Sequence, residues 1–201
     1  MSETLNLAFA VAWLLAVPSA QAQEVRPDVL VKSVSEEVIA EIRKDKALQA
    51  GDPAKVAALV EAKIVPHFDF RRITQTAAGK SWRSATPEQQ DRLTEEFKTL
   101  LVRTYSGALA NYRDQVIEFK PLRASAADTE VTVRSQVRQP GTQPITIEYD
   151  VAKTGTQWKV YDVRIEGISL VATYRTSFAE EVANRGVDGL ISLLARKNRQ
   201  T

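Results

Sequence analysis

The spacing of apolar residues changes twice along the chain, and this change limits the possible folds more than any other feature. From Val29 to Ile42 the apolar positions recur every three or four residues, as on one face of an α-helix. Between positions 116 and 168 apolar and polar residues alternate, which is typical of half-buried strands. From Leu170 onward the helical spacing returns. Helices, then strands, then helices is an α+β pattern.

Two start signals divide the first half into helices. Gly51-Asp52-Pro53 ends the first helix and begins another, predicted over residues 55–65. Thr86-Pro87-Glu88-Gln89 offers Thr as N-cap, Pro at the first helical position and Gln three residues later to close a capping box. The helix that follows is expected to reach Tyr112 and to carry an apolar stripe that faces a core or a ligand. The stripe consists of Leu93, Phe97, Leu100, Leu101, Tyr105, Ala108, Leu109 and Tyr112.

Four alternating segments predict four strands, at residues 116–122, 130–138, 144–152 and 158–168. Short turns containing Gly141 and Gly155 separate the last three, so neighbouring strands are expected to be antiparallel. One face is apolar and includes Val131, Val133, Val137, Ile145, Ile147, Tyr149 and Val151. The other face carries Thr132, Arg134, Gln136, Thr146, Glu148 and Asp150, and it is expected to face water.

The last segment returns to helix in two parts. Gly186 fits a C-terminal cap between a longer stripe and a short final helix. The longer stripe consists of Leu170, Val171, Tyr174, Phe178 and Val182, and the final one of Val187, Leu190, Ile191 and Leu194. We therefore predict an α+β fold in which an antiparallel sheet of about four strands is wrapped by helices from both the N- and C-terminal segments. Such an arrangement can enclose an apolar cavity between sheet and helices.

The N-terminus has the pattern of an export signal. Leu5 to Val17 is an uncharged run of thirteen residues, too short to cross a bilayer, which needs about twenty apolar residues. Small residues follow, ending in the A-x-A sequence Ala20-Gln21-Ala22. The usual preceding Lys or Arg is missing, since Glu3 is the only charge in this segment. We predict a signal peptide at 1–22 and one domain at 23–201, stable without disulfides because the chain has no Cys.

The residue inventory does not favour catalysis. There is no Cys and one histidine, His67, so a nucleophile paired with histidine and a Cys/His zinc site both lack their components. Gly79-Lys80-Ser81 looks like the end of a Walker A loop, but Thr74 stands where its first Gly is required. The formal net charge is +2 and the basic residues are scattered, which does not favour nucleic-acid binding. We therefore expect no catalytic residues, no metal site and no cofactor.

The segment around Asp69 is expected to have a structural role. Asp69 precedes a short helix that begins with Phe70, where a carboxylate can accept free backbone N–H groups and interact favourably with the helix dipole. Phe68, Phe70 and Ile73 are expected to anchor this corner, with Trp82 packed behind it.

Several of these segments, taken together and in order, resemble the toluene-tolerance family. They are Phe68-Asp69-Phe70, Gly79 with Trp82, Thr86-Pro87-Glu88-Gln89, Arg103-Thr104-Tyr105, and Gly167-Ile168-Ser169-Leu170-Val171 followed by Tyr174-Arg175. The family provides the periplasmic phospholipid-carrier component of the maintenance-of-lipid-asymmetry ABC transport system in Gram-negative bacteria. The resemblance extends from about Pro27 to the final helix. It implies a soluble protein of the periplasm that shuttles phospholipid between an outer-membrane lipoprotein complex and an inner-membrane ABC transporter complex.

A phospholipid carrier must shield acyl chains from water, because each buried CH₂ contributes about 0.8 kcal/mol. The inward stripes then become candidates for lipid contact, and the domain at 23–201 becomes a lipid-binding domain. These assignments come from periodicity and not from the resemblance. The candidates are Leu93, Phe97, Leu100, Leu101, Tyr105, Val133, Val137, Ile147, Tyr149, Val151, Ile165 and Tyr174.

Two other functions remain open from the residues alone. An exported protein-interaction module of similar fold would use the same stripes as plain core, and its interior would be dense, with no ligand cavity. An enzyme built on a related fold would need clustered ionisable groups in its pocket. Asp69, Asp114 or Asp162 pointing inward beside arginines would support that reading.

Overall fold

The computed structural model describes residues 25–110, 112–125 and 127–200, and the predicted signal peptide at 1–22 lies outside this part. The helices are α1 (Pro27–Lys44), α2 (Lys46–Gln49), α3 (Pro53–Lys63), α4 (Phe70–Ala78), α5 (Lys80–Ser84), α6 (Pro87–Ala110) and α7 (Arg175–Gln200). The strands are β1 (Val116–Phe119), β2 (Glu130–Arg138), β3 (Ile145–Thr154), β4 (Gln157–Ile165) and β5 (Ile168–Ser169). The α+β class is confirmed. No helix in the described residues is both long and apolar enough to span a membrane.

In the described part of the chain the strands form one antiparallel sheet in the order β1-β2-β3-β4-β5. The fifth strand arises because the predicted segment 158–168 folds back on itself. Glu166 and Gly167 both have positive φ, 50° and 78°, as in the tight hairpin turns that suit twisted strands. Ile165 therefore pairs with Ile168 across this turn.

Both predicted N-terminal caps are confirmed. The Asp69 carboxylate accepts the backbone N–H of Arg72 at 2.9 Å, so it holds the first turn of α4. At the start of α6 the Thr86 hydroxyl accepts the N–H of Gln89 at 3.2 Å, and the Gln89 side chain accepts the N–H of Thr86 at 3.0 Å. This reciprocal pair is a capping box, which satisfies two otherwise unpaired donors.

The main core lies where α4, α6 and α7 meet. Phe97 is fully buried there, and its ring contacts Tyr174 and Phe178 edge-on at centroid distances of 5.0 and 4.9 Å. Ile73 and Trp82 belong to the same cluster, so the anchoring role predicted for this corner is confirmed. α7 is interrupted at Gly186, where φ is 70° and ψ is −179°, in agreement with the predicted break before the last helical segment.

The apolar face of the sheet is covered by α1. At one end the contact is tight, because Val31 packs with Val133, Val151 and Val160, all at most 6% exposed. This packed end closes the space between α1 and the sheet.

The opposite face of the sheet is polar, as expected, but it is not uniformly wet. Asp150 is 9% exposed because neighbouring side chains cover it. The Arg164 guanidinium donates to Asp150 at 3.0 Å, and the Thr132 hydroxyl donates to it at 2.7 Å. Glu148 accepts from both Arg134 and Arg164, and these hydrogen bonds lower the pKa of Glu148. The network satisfies the charges across three strands.

Candidate functional site

A large apolar cavity of about 480 Å³ lies between α1 and the sheet. Its wall combines one face of α1, the apolar face of the sheet, the residues just before α4 and the C-terminal end of α6. Most of the lining is aliphatic or aromatic. The residues are Leu30, Val31, Val34, Ser35, Val38, Ile39, Ile42, Ile64, His67, Phe68, Ala108, Leu109, Tyr112, Gln115, Ile117, Val137, Gln139, Thr142, Ile145, Ile147, Tyr149, Val160 and Ile165.

Strand register builds the sheet side of this cavity. Val137 on β2 pairs with Ile117 on β1 and with Ile145 on β3, so three apolar side chains form one row. Ile147 on β3 pairs with Ile165 on β4 and starts the next row. Because side chains on paired residues of antiparallel strands point to the same face, these rows make a continuous apolar wall.

A second apolar cavity of about 240 Å³ adjoins the first. It lies among α3, α4, α6 and the segment that follows β5, with Leu101 and Tyr105 on its α6 side. Four residues line both cavities and therefore form the partition between them. They are Ile64, Phe68, Ala108 and Leu109.

Phe68 is held firmly in this partition. Its backbone forms a parallel bridge with Val160, and the next N–H, of Asp69, donates to the Val160 carbonyl at 2.9 Å. Its ring stacks on Phe70 with a centroid distance of 5.9 Å. The corner predicted to be structural is thus also part of the cavity wall.

The structure divides the twelve sequence-predicted residues into two groups of six. Leu101 and Tyr105 line the smaller cavity, and Val137, Ile147, Tyr149 and Ile165 line the larger one. The others line neither cavity. Leu93, Phe97, Leu100 and Tyr174 pack in the core between α4, α6 and α7, and Val133 and Val151 pack beneath Val31 at the closed end of the sheet. Lipid contact by the first group stays a prediction.

The twelve predicted lipid-contact residues include none from α1, although α1 contributes more residues to the wall of the larger cavity than any other helix. Seven of its residues line the cavity: Ser35 and the six apolar residues at positions 30, 31, 34, 38, 39 and 42. Their helical spacing was visible in the sequence, and it was as regular as that of α6. Periodicity could have identified them, but it could not show that α1 lies across the sheet.

Burial favours the neutral form of His67, Tyr149 and Tyr105, three titratable residues that line the cavities. Burial, followed by the positive charge of nearby Lys159, lowers the pKa of His67. Burial raises the pKa of Tyr149, and burial together with neighbouring Tyr174 raises the pKa of Tyr105 to about 12. Neutral imidazole and phenol groups suit a site for an apolar ligand, because a charged group there would lose its hydration.

The acidic residues named for an enzyme do not form a catalytic cluster. Asp69 caps α4 and Asp114 is exposed. Asp162 borders the smaller cavity, but its carboxylate accepts the N–H of Val163 at 2.8 Å and the Ser169 hydroxyl. Its hydrogen bonds therefore come from backbone and hydroxyl donors and not from an arginine. In the described residues no group of three or more His, Asp or Glu side chains is placed to hold a metal ion.

The family comparison agrees with this geometry. The family model described as MlaC protein matches residues 32–196. The chain belongs to the MlaC family. The match includes most of α1, the whole sheet and the greater part of α7, so it contains every element that lines the two cavities. The resemblance to the toluene-tolerance family is thereby confirmed.

Individual relatives support the same assignment. The chain is 23% identical over 180 residues to the intermembrane phospholipid transport system binding protein MlaC of Haemophilus influenzae, covering 88% of this chain and 84% of the relative. It is 26% identical over 163 residues to the toluene tolerance protein Ttg2D of Pseudomonas putida, covering 81% and 75%. A solved structure of a phospholipid-binding protein from Ralstonia solanacearum, in complex with a phospholipid, is 46% identical. It superimposes with a TM-score of 0.81 over 88% of this chain and 98% of that one.

Proposed function

We propose that this protein binds phospholipid and carries it through the periplasm between an outer-membrane lipoprotein complex and an inner-membrane ABC transporter complex. The observation that carries the proposal is the pair of adjoining apolar cavities, one of about 480 Å³ between α1 and the sheet and one of about 240 Å³ among α3, α4 and α6. The Ralstonia solanacearum protein in complex with a phospholipid, 46% identical to this chain, supports the same ligand class.

The energetics of transfer explain why such a cavity is needed. Each methylene moved out of water contributes about 0.8 kcal/mol, so about ten buried methylenes contribute about 8 kcal/mol. An acyl chain exposed in an aqueous gap would lose all of this stabilisation. The residues we propose to contact the chains are Leu101, Tyr105, Val137, Ile147, Tyr149 and Ile165, together with the cavity face of α1.

Two alternatives receive less support. An interaction module with a dense interior does not account for the two cavities. An enzyme would need reactive groups that converge on the cavity, and Asp162 is instead bound by the Val163 N–H and the Ser169 hydroxyl. Binding without chemical change accounts for the site with fewer assumptions.

The ligand is tested by mass spectrometry of lipid extracted from protein purified without detergent. We expect near-stoichiometric phospholipid in the wild type. Ile147→Asn, which places an amide on the cavity wall, should reduce that amount severalfold. Ile168→Asn is the matched control, because Ile168 is 62% exposed and lines neither cavity. Protein that folds stably and carries no lipid would contradict the proposal.

Export and transfer are tested separately. Expression of the full chain in a Gram-negative host should yield periplasmic protein whose N-terminus is Gln23. For transfer, lipid-loaded protein is mixed with proteoliposomes that contain the inner-membrane transporter or the outer-membrane complex. Movement of labelled phospholipid is expected in the presence of these complexes and not with protein-free vesicles. Equal transfer to all vesicles would agree with phospholipid binding but would contradict the proposed partner complexes.

A further inference from the structure

We propose that Arg43, together with Tyr112 and the amide side chains of Gln115 and Gln139, forms a binding site for the phosphodiester group of the lipid at the rim of the larger cavity. The inference rests on the proposed function, since it assumes that acyl chains occupy the cavity. It adds the polar half of the ligand and the residues that recognise it.

The rim can be located from the exposure of the lining residues. Most side chains in the wall of the larger cavity are buried or half-buried. The exposed ones are Ala108 on α6 and three residues around the β2–β3 turn, Gln139, Thr142 and Ile145. The cavity therefore opens to solvent beside the β2–β3 turn. An amphiphile with its chains inside must place its headgroup at such an opening, because burying an unpaired charge among aliphatic side chains is costly.

A chain of polar contacts links the end of α1 to this opening. The Arg43 guanidinium donates to the Tyr112 hydroxyl at 3.0 Å and lies over the tyrosine ring, 5.9 Å from its centroid. The Tyr112 hydroxyl donates in turn to the Gln115 carbonyl at 2.9 Å. The Gln115 side-chain amide donates to the Gln139 side chain at 3.2 Å. Tyr112, Gln115 and Gln139 all line the cavity, so the contacts run along its edge.

The charge of Arg43 is not neutralised by a carboxylate in the described residues. Its neighbour on the helix, Lys44, pairs with Glu41 at 3.2 Å, and Arg138 near the same rim pairs with Glu118 at 3.0 Å. For Arg43 the contacts are the hydrogen bond and the ring contact with Tyr112. A guanidinium has five N–H donors, so most of its donors remain available to a ligand. Arg43 also lies near the C-terminus of α1, where the helix dipole stabilises a positive charge. That interaction uses none of the guanidinium N–H donors.

The geometry matches a phosphodiester better than an uncharged headgroup. Arginine binds two oxygens of a phosphate in a bidentate manner, and such charge-assisted hydrogen bonds are about twice as strong as neutral ones. Side-chain amides at the rim can donate to the remaining oxygens. Because these groups recognise the phosphate that phospholipids share, the site should distinguish phospholipids from diacylglycerol more strongly than one phospholipid from another.

The test compares two ligands with identical acyl chains, phosphatidylglycerol and diacylglycerol, on delipidated protein. We expect the wild type to prefer phosphatidylglycerol. Arg43→Gln should weaken phosphatidylglycerol binding by about tenfold, the effect of losing one charge-assisted hydrogen bond, and leave diacylglycerol binding unchanged. Arg83→Gln is the matched control, because Arg83 is exposed on α5 and lines neither cavity. Thermal unfolding of all three proteins checks that they are folded.

The outcomes separate this proposal from the function on which it rests. If neither ligand binds to the folded wild type, the proposed function fails. If both bind, but Arg43→Gln weakens them equally or not at all, the function stands and the phosphodiester site is refuted. Glycerophosphate, which has the phosphate but no acyl chains, forms a further arm. Competition by glycerophosphate at concentrations equal to those of the lipid would show a site for free phosphate esters and overturn the assignment to lipid.

Discussion

Replacing Phe97 with Ala should destabilise the fold without emptying the cavities. Phe97 is 0% exposed, and its ring contacts two other aromatic rings, those of Tyr174 and Phe178. Deleting a buried Phe side chain costs about 3–5 kcal/mol, of which each aromatic contact accounts for about 0.5–1.5 kcal/mol. At about 2–4 °C per kcal/mol for a domain of this size, the melting temperature should fall by roughly 10 °C.

Ile147→Ala is the matched change on the cavity wall. It removes atoms that face the cavity and not a packed interior, so the delipidated protein should lose less than about 2 kcal/mol in free energy of unfolding. The lipid-loaded protein should lose more than the delipidated one, because weaker lipid binding also reduces the stabilisation that the ligand provides.

The assay is urea unfolding of both variants, each in loaded and delipidated form, followed by circular dichroism, with mass spectrometry for the ratio of lipid to protein. For Phe97→Ala the loss should be the same with and without lipid, and the lipid ratio should match the wild type. If delipidated Ile147→Ala lost as much stability as Phe97→Ala, or if Phe97→Ala alone lost its lipid while retaining stability, the division into core and cavity residues would be refuted.

Four further substitutions test local features of the fold. Asp69→Ala should lower the free energy of unfolding by about 1 kcal/mol by removing the cap on the Arg72 N–H, with lipid content unchanged; urea unfolding and lipid extraction measure both. Burial and, second to it, a nearby lysine lower the pKa of His67 in the folded protein. The unfolded chain therefore binds a proton at this histidine more readily than the folded protein does. The free energy of unfolding should fall as the pH drops through about 6.5. The loss between about pH 7.5 and about pH 5.5 should be smaller in His67→Gln, and the single histidine resonance should titrate below its usual pKa. Gly186→Ala should cost about 1–3 kcal/mol, since its backbone conformation is essentially limited to glycine and no atom would contact the added methyl group. Gly107→Ala, in the last turn of α6 with equally open surroundings, should instead stabilise by up to about 0.5 kcal/mol. Equal effects of the two glycine substitutions in thermal unfolding would contradict the assignment to backbone conformation.

Local features of the fold could be predicted because they depend on residues close together in the chain. The strand predicted at 130–138 is β2 (Glu130–Arg138), since alternation over nine residues defines a half-buried strand directly. The capping box at Thr86 was recognised because its two partners are three residues apart. The β4–β5 turn was missed because it needs a positive φ at Glu166, a residue that rarely adopts one.

The division of the site into core and cavity could not be predicted, because an amphipathic stripe shows which face of a helix leaves water but not what covers that face. Phe97 and Tyr105 belong to one stripe on α6, yet Phe97 is packed among Tyr174 and Phe178, while Tyr105 lines the smaller cavity. The covering residues come from α7 and the turn before it, about seventy or more positions later in the chain. The contact of Asn198 with Glu96, where its side-chain amide donates to the Glu96 carbonyl at 2.9 Å, helps to hold α7 along the first part of α6. Farther along α6, toward Ala108, the same apolar stripe lines the cavities. The hydrophobic core on α6 therefore gives way to a binding site at the point where α7 ceases to cover it.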